Sequence, residues 1–385
     1  MQKKLFAMVV SSALTAILAV PAQANDNVST KGGLKVETED GNFKFGLGGR
    51  IHLDAAFHDD DQRDLDDGVA FRRARLFVEG TIYKDWAFKA QYDFAENDIA
   101  TKDLYIQYKP WGITVGQFKQ PLNLEELTSS NYSTFIERAS INNLATSHRI
   151  GVGYNTGGDN YSFAASVYGR NVGENTVDDE GFGVGGRLTY APWAEGVRAL
   201  HLGVAASMEN PQLGDNAARF RARPEANVDG TRLIDTGTIA DVDAITKYGL
   251  EAALVQGPFS LQAEYLAASV SRQSGNPDAD FDGYYVYGSW FLTGESRPYS
   301  PGTGSFGRVK PAAKSGAWEL AARYSNLNLN DGGITGGEMN NWTLGVNYYA
   351  NANTRLMFNY INVDTDENAG DDDPSIFLVR AQVDF

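Results

Sequence analysis

The sequence contains no cysteine and only four histidines in 385 residues. Without cysteine the chain forms no disulfide and has no thiolate for catalysis or metal binding. The motifs of phosphate-binding loops, serine hydrolases and zinc proteases (G-x-x-x-x-G-K-[ST], G-x-S-x-G and H-E-x-x-H) are also missing. The four histidines, which lack metal-ligand spacing, are His52, His58, His148 and His201. These absences predict that the protein is not an enzyme and holds no cofactor or metal.

Positive charge is in short supply. Lys and Arg number 33 against 49 Asp and Glu, which gives a formal net charge of -16 at pH 7. A nucleic-acid-binding domain would need a broadly basic surface, so we expect no nucleic-acid partner. Any function that depends on positively charged side chains must therefore rest on arginines clustered in one place.

Long hydrophobic runs are confined to the N-terminus. Lys3 and Lys4 precede an apolar run over 5–20, and the tripeptide 22–24 has the small-x-small form of a cleavage site. Residues 1–24 are therefore predicted to be a secretory signal peptide. No later run approaches the roughly 18 residues of a membrane-spanning helix. The whole chain is rich in Gly (41), Tyr (19) and Phe (20). It fits either a soluble β-rich exported protein or a transmembrane β-barrel.

What is abundant is alternation of apolar with polar residues at period two, as in barrel strands that face lipid on one side and the lumen on the other. One parity of the first such segment is apolar: Phe43, Phe45, Leu47, Ile51, Leu53, Ala55 and Phe57. The other parity carries Lys44, Arg50, His52, Asp54 and His58. The last segment alternates in the same way and ends on Phe385. Short turns bearing aromatic residues also alternate with longer polar segments, which favours the barrel.

Sixteen strands account for the chain after residue 42, an even number as a bacterial barrel with both ends on one side requires. The predicted strands are 43–57, 69–83, 86–95, 102–110, 112–119, 148–156, 160–171, 181–191, 198–209, 246–256, 258–270, 282–294, 316–326, 340–350, 353–363 and 375–385. The longer, outer connections are 59–68, 121–147, 172–180, 210–245, 271–280, 327–339 and 364–374. This count places 219–225 in an outer loop although it alternates, and makes 295–315 an unusually long inner turn. The predicted fold class is all-β: a transmembrane 16-stranded antiparallel barrel over 43–385, preceded by a periplasmic segment over 25–42.

The outer connection 121–147 is far too long for a simple hairpin loop, at about 27 residues. We expect it to fold into the lumen as a constriction loop. Ser129 and Ser130 would supply hydroxyl donors there, and Arg138 would lie in reach of the same constriction. A narrow throat lined by arginines and hydroxyls selects anions and still lets them leave.

A cluster of arginines lies on the second predicted strand, in FRRARLFVEG. Period-two alternation sends Arg73 and Arg75 to the lumen. It sends Arg72 toward lipid, where a charge at the bilayer centre costs about 2–4 kcal/mol. Arg72 therefore either sits at the outer rim or is turned inward by a bulge.

A second cluster, Arg219, Arg221 and Arg223, alternates with Phe220 and Ala222. On an extended backbone these arginines would project from one side at a spacing of about 6–7 Å, as a relay for an anion. The alternative is a solvated loop whose arginines pair with acids of the same loop.

Several motifs in order resemble the phosphate-selective porin O and P family of outer-membrane channels. They are GRIHLDAAF, FRRARLFVEGTIYKDWAFKAQYDFAEN, VGQFKQPLNLEELTSS followed by FIER, RFRARPE, and GYYVYGSWFLTGE with GSFGRVKP. The resemblance runs over essentially the whole chain after the signal peptide. It implies a sixteen-stranded barrel, a homotrimer and passive anion diffusion through one pore per subunit.

The resemblance also implies roles for particular residues. FRR corresponds to Arg72 and Arg73, YDF to Asp93, TSS to Ser129 and Ser130, and ER to Arg138, and RFRARPE carries the arginine ladder. Asp93 would accept from a protonated phosphate oxygen or orient a neighbouring arginine, and the bulge would bring both FRR arginines to the anion site.

Two features depart from the family pattern. Phosphate-selective members carry lysines beside TSS, where this chain has Glu126 and Asn131. The outer loops are acidic, with six Asp in 59–68 and five Asp and one Glu in 364–373. These acids would repel anions at the mouth, although salt screens much of that effect. They could instead bind divalent cations that bridge to lipopolysaccharide.

The sequence therefore predicts a bacterial outer-membrane porin for anions, with inorganic phosphate or polyphosphate as the expected solute. It would lie in outer-membrane lipid and lipopolysaccharide as a homotrimer. The alternatives are a general or weakly selective porin, and a structural or adhesive barrel with cation-binding acidic loops. A third alternative, a lipid-hydrolysing barrel enzyme, finds no Ser–His constellation in its support.

Overall fold

Sixteen long strands dominate the computed structural model of the chain. The structure describes residues 27–30, 33–95, 98–174, 180–211, 216–273, 275–366 and 371–385. Strands β1 to β16 are, in order, Phe43–Asp59, Gly68–Ile82, Trp86–Asp93, Ala100–Tyr108, Ile113–Lys119, His148–Gly157, Tyr161–Tyr168, Gly183–Glu195, Arg198–Glu209, Val242–Gln256, Phe259–Arg272, Ala279–Phe291, Ala317–Asp331, Ile334–Tyr349, Thr354–Asp366 and Ser375–Asp384. The predicted signal peptide lies outside the described residues.

These strands close into an antiparallel barrel. Each pairs with the next along the chain, and β16 pairs with β1, with Val383 opposite Ile51. Helices in the described residues are short: Leu124–Leu127 is α-helical, and Lys109–Trp111 and Ser140–Asn143 are 3₁₀. Among the described residues, no helix is long and apolar enough to cross a membrane. The predicted fold class and the strand count are confirmed.

Period-two alternation appears in the structure as a difference in exposure. In β1, Ile51, Leu53 and Phe57 are exposed on the outside, whereas His52 and Asp54 are buried inside. This arrangement repeats around the barrel, so the apolar surface faces outward and the polar side chains face the lumen.

Short connections lie at the end of the barrel that also carries residue 43 and the C-terminus. Aromatic pairs gather there, with ring centroids 4.8 Å apart for Trp86 and Tyr108 and 4.7 Å apart for Trp318 and Tyr348. Aromatic rings of this kind mark a membrane–water interface. The prediction that aromatics would gather at the short turns matches this placement.

One predicted outer connection was wrong. Residues 327–339 are mostly strand, because β13 and β14 continue to a tight turn at Gly332 and Gly333, both with positive φ. The polar composition of this segment suggested a loop. However, Leu327 and Met339 point inward and pack in the same core as residues of the infolded outer connection 210–241. That burial extends the two strands beyond the predicted ends.

The segment before the barrel also forms strands. Leu34–Glu37 pairs with the start of β1, at Lys44 to Leu47, and Asn27–Ser29 pairs with Leu34–Glu37 in turn. Its position at the short-turn end is the one expected for the predicted periplasmic segment.

Three connections fold into the lumen and fill much of it. They are the constriction loop 120–147, the outer connection 210–241, and the inner connection 292–316. The second contains the paired strands Arg221–Ala222 and Ile234–Asp235, and the third contains Tyr299–Ser300 and Ser305–Phe306. The hydrophobic core lies where the first two pack against the wall, with Phe135, Ile141 and Leu233 beside Tyr285 and Met357. Placement of 219–225 in a loop and of 295–315 in an inner turn agrees with the structure.

Candidate functional site

The arginine pair of FRRARLFVEG is built on a β-bulge. The register between β1 and β2 shifts after His52, which pairs with Arg73, so that the next pair is Leu53 with Phe71. Arg72 is the extra residue between them. Exposure changes parity at this point, because Phe71 and Leu76 are both exposed although they lie five positions apart. The bulge turns both Arg72 and Arg73 into the barrel. Of the two possibilities for Arg72, an outer-rim position or a bulge, the structure has the bulge.

Both arginines meet Glu137 of the constriction loop. Arg72 donates from Nε to Oε1 at 2.9 Å and from Nη2 to Oε2 at 3.0 Å, which is a bidentate pair. Arg380 of β16 donates from Nη2 to Oε1 of the same carboxylate at 2.7 Å. Arg73 lies farther off, with Nη1 3.7 Å from Oε1. One carboxylate thus faces three guanidinium groups.

These arginines determine the charge of Glu137. Burial raises its pKa, but the positive charges of Arg72, Arg73 and Arg380 outweigh burial and hold the pKa well below its ordinary value. Glu137 is therefore ionised at neutral pH.

Arg73 itself is almost completely buried. Its Nε and Nη1 atoms have no hydrogen-bond acceptor among the described residues. Buried donors are rarely left without an acceptor in proteins, so this guanidinium is chemically suited to receive an anion.

Arg75 and Asp93 lie opposite each other on β2 and β3. Arg75 Nε donates to Asp93 Oδ2 at 2.7 Å. The other carboxylate oxygen accepts from the main-chain N–H groups of Ala74 and Ala95. Asp93 therefore holds Arg75 in place, which was one of the two roles expected of it.

The two serines of the constriction loop contact a different arginine. Arg50 of β1 donates from Nη1 to Ser130 Oγ at 2.9 Å and lies 3.3 Å from Ser129 Oγ. Its Nε has no acceptor among the described residues. Arg50 pairs with Arg75 across the β1–β2 ladder. The serines, Arg50 and Arg75 are thus brought to one face of the lumen.

Arg138 is placed differently from the other predicted site residues. It donates to the main-chain oxygens of Glu125, Glu126 and Thr128, and its Nη1 lies 2.7 Å from the Glu126 carboxylate. Lys119 lies 3.5 Å from the same carboxylate. Glu126 is therefore neutralised within the loop base, and its negative charge does not act alone in the throat.

The arginine ladder lies in the infolded outer connection. Arg219 is exposed and forms a bidentate pair with Asp235, at 2.8 and 2.5 Å. Arg221 is exposed, and Arg223 donates to a side chain and a main-chain oxygen of its own loop. Glu225, an acid of the same loop, points away from the ladder and pairs with Arg323 of β13. The ladder therefore lies in a loop, whereas Arg72 and Arg73 lie on strand β2.

Around the bulge, positive charge exceeds negative charge. The six cations are Arg50, Arg72, Arg73, Arg75, Lys102 and Arg380. Three carboxylates lie within salt-bridge distance of these cations: Asp54, Asp93 and Glu137. We call this group the cation wall.

Sequence reasoning did not single out five members of the cation wall: Arg50, Asp54, Lys102, Glu137 and Arg380. Arg50 and Arg380 do lie on the lumen parity of their strands, and Glu137 adjoins Arg138 in the FIER motif. Parity alone, however, does not tell which lumen residues share a level of the barrel.

On the wall opposite the bulge, Arg187 and His201 both bind Glu251, at 2.6 and 3.0 Å. In the part of the chain that the structure describes, no group of His, Asp or Glu side chains is arranged to hold a metal ion.

The comparisons with known proteins agree with this architecture. A family model described as phosphate-selective porin O and P matches residues 45–385. Porin O of Pseudomonas aeruginosa is 32% identical over 409 aligned residues, covering 93% of this chain and 92% of that protein.

Two solved structures show the same fold at low identity. One is the trimer form of OmpT, an outer membrane protein of Vibrio cholerae, with a TM-score of 0.57, 15% identity, and coverage of 89% of this chain and 99% of that chain. The other is an anion-selective porin from Comamonas acidovorans, with a TM-score of 0.55, 12% identity, and coverage of 89% and 100%. Together with a family match that runs from β1 to the C-terminal residue, these findings show that the chain belongs to the phosphate-selective porin O and P family and is a porin of the bacterial outer membrane, not an enzyme.

Proposed function

We propose that this porin passes anions by diffusion along the cation wall, with inorganic phosphate or polyphosphate as the preferred solute. The observation that carries the proposal is a group of six cations that has only three carboxylates in salt-bridge contact with it. A cationic constriction with low-dielectric walls concentrates anions and repels cations.

The geometry suits an oxyanion better than chloride. Guanidinium groups bind phosphate oxygens through pairs of parallel N–H donors, which a spherical ion cannot exploit. Arg73 supplies N–H groups that no described residue accepts from, and Arg50 presents its guanidinium beside the hydroxyls of Ser129 and Ser130. Several donors in one place are what a phosphate needs to replace its hydration shell.

The neutralisation of Glu126 also supports this reading. Its position beside TSS, where phosphate-selective family members carry lysine, counted against phosphate. Because Arg138 and Lys119 hold its carboxylate, the charge at the loop base is near balance and does not oppose an anion. The arginine ladder would lead anions toward the cation wall from the outer end.

We further propose that the porin works as a homotrimer in outer-membrane lipid and lipopolysaccharide, with residues 25–42 in the periplasm. Family membership supports this, as does the trimer form of the Vibrio cholerae neighbour. Chemical crosslinking of the detergent-extracted protein should give a three-subunit band that persists on heat denaturation.

Planar lipid bilayers test the proposed function. Under a KCl gradient, the reversal potential should have the sign of an anion-selective pore, and millimolar phosphate added to both sides should reduce the chloride current. A cation-selective pore would overturn the proposal. An anion-selective pore whose chloride current ignores phosphate would leave an anion porin without phosphate preference.

A weakly selective porin is the second candidate. It is favoured by the three carboxylates inside the cation wall, which already bind Arg72, Arg75 and Arg380. In that case the reversal potential would lie near zero, and acidic and basic small solutes would pass at similar rates in a liposome-swelling assay.

A further inference from the structure

The carboxylate of Glu137 occupies the position in which an anion would bind the cation wall. Its two oxygens accept two bonds from Arg72 and one from Arg380, and Arg73 lies 3.7 Å away. Planar, bidentate contact of two oxygens with one guanidinium is also the geometry of arginine with phosphate. The loop therefore places its own oxyanion where a permeating oxyanion would find the most donors.

The Glu137 side chain is also within reach of solvent. It is 12% exposed and Arg72 is 23% exposed, whereas Arg380 is 1% exposed. An anion that arrives through the lumen can therefore approach the Arg72–Glu137 pair from its open side. By contrast, Arg380 is held behind it by Asp54, through two bonds of 2.6 Å.

The loop does not depend on this carboxylate for its position. Arg380 and Arg323 donate to the main-chain oxygens of Ile136 and Glu137, and Asn359 accepts from the Ile136 N–H. These main-chain contacts flank Glu137 and would remain if its side chain changed. The side chain can thus leave Arg72 without displacing the loop.

We propose that Glu137 is a tethered competitor for the oxyanion site of Arg72 and Arg73, which a permeating phosphate must displace and which takes the site back when phosphate leaves. The idea rests on the proposed function and adds a regulator of affinity to the same site. A throat that binds phosphate too tightly would be blocked by it, because conduction requires binding weak enough for release. The loop carboxylate weakens binding without removing the arginines.

Glu137→Gln tests the inference in planar bilayers, with inorganic phosphate as the probe against a chloride current. The half-blocking phosphate concentration should fall by about tenfold or more relative to wild type, the change expected from losing a charged competitor for one bidentate site. The control is Glu180→Gln. It removes the same charge from an outer-loop residue that pairs with Arg170 on the surface, and it should leave the half-blocking concentration unchanged.

Glu137→Ala separates competition from a structural role. In this variant, free acetate should compete with phosphate and raise the half-blocking concentration back toward the wild-type value, whereas acetate should have little effect on wild type. Barrel folding is confirmed for each variant by its heat-dependent shift in gel mobility.

The outcomes separate the two proposals. An unchanged or higher half-blocking concentration in folded Glu137→Gln, or no acetate effect in Glu137→Ala, overturns the competitor inference and leaves the anion porin intact. If wild type is itself cation-selective, the proposed function fails. If phosphate then blocks Glu137→Gln more strongly than it blocks this wild type, the result would still support a carboxylate that masks the arginines.

Discussion

Replacing Arg73 by alanine removes a guanidinium of the cation wall whose charge is only weakly balanced. Its nearest carboxylate oxygen is 3.7 Å away and belongs to Glu137, which is already bound by Arg72 and Arg380. Two of its nitrogen atoms donate to no described residue. The charge of Arg73 is therefore available to an ion in the lumen.

Coulomb's law sets the size of the effect. A monovalent anion about 6 Å from the guanidinium interacts with it by about 0.7 kcal/mol at the dielectric constant of water and by about 2.8 kcal/mol at an effective value of 20. Salt screens part of this interaction, so the expected loss of interaction free energy is the lower figure, about 0.7 kcal/mol. It corresponds to about a threefold loss of monovalent-anion affinity in the constriction, and a divalent phosphate should lose about twice the free energy.

The assay is the reversal potential of the purified porin under a KCl gradient, together with phosphate block of the chloride current. Arg73→Ala should shift the reversal potential toward zero and weaken the block. Arg198→Ala is the control, because Arg198 is an exposed residue at a short turn and loses the same charge away from the cation wall. Equal reversal potentials for wild type, Arg73→Ala and Arg198→Ala would refute the reasoning.

Three further predictions follow from contacts within the barrel. Arg380→Gln leaves the buried Asp54 without its partner and should destabilise the barrel by about 3–5 kcal/mol, seen as a lower temperature for the mobility shift in detergent gels; no change would mean that Asp54 is solvated. Gly112→Ala should reduce the yield of folded barrel, because Gly112 has φ +65° and an added Cβ would overlap a main-chain oxygen. Gly196→Ala, at φ +59° but with open space around it, should cost less, and equal losses would rule out the overlap. Since its arginine neighbours lower the pKa of Glu137, its charge is lost only below the ordinary carboxylate range. Phosphate block in wild type and Glu137→Gln should therefore change in parallel between pH 7 and 5, and a change in wild type alone would contradict this.

Most of the barrel could be predicted from alternation, because one parity must face lipid and one the lumen. The sequence left a bulge as one of two possibilities for Arg72. Phe71 and Leu76 are both apolar at an odd separation, and a strand with one continuous parity cannot place both outside. The strand ends at 327–339 could not be found in this way, because they depend on burial against a distant loop.

The candidate site was less predictable than the fold. Arg72 and Arg73 were recognisable from their motif, but their partner Glu137 lies 65 residues from Arg72 and Arg380 lies a further 243 residues on from Glu137. Contacts of this range depend on barrel closure and on the path of the constriction loop. Local sequence patterns give no information on barrel closure or on the path of that loop.

The constriction loop is fastened to the wall chiefly through its backbone. Five of its main-chain oxygens accept from lumen side chains; the donors are Gln382, Arg355, Asn347, Arg380 and Arg323. Because the wall binds carbonyl groups that every amino acid possesses, the loop can exchange side chains such as Ser129, Ser130 or Glu137 while keeping its shape. Solute preference in this porin can therefore change by single substitutions, in evolution or in the laboratory, without rebuilding the channel.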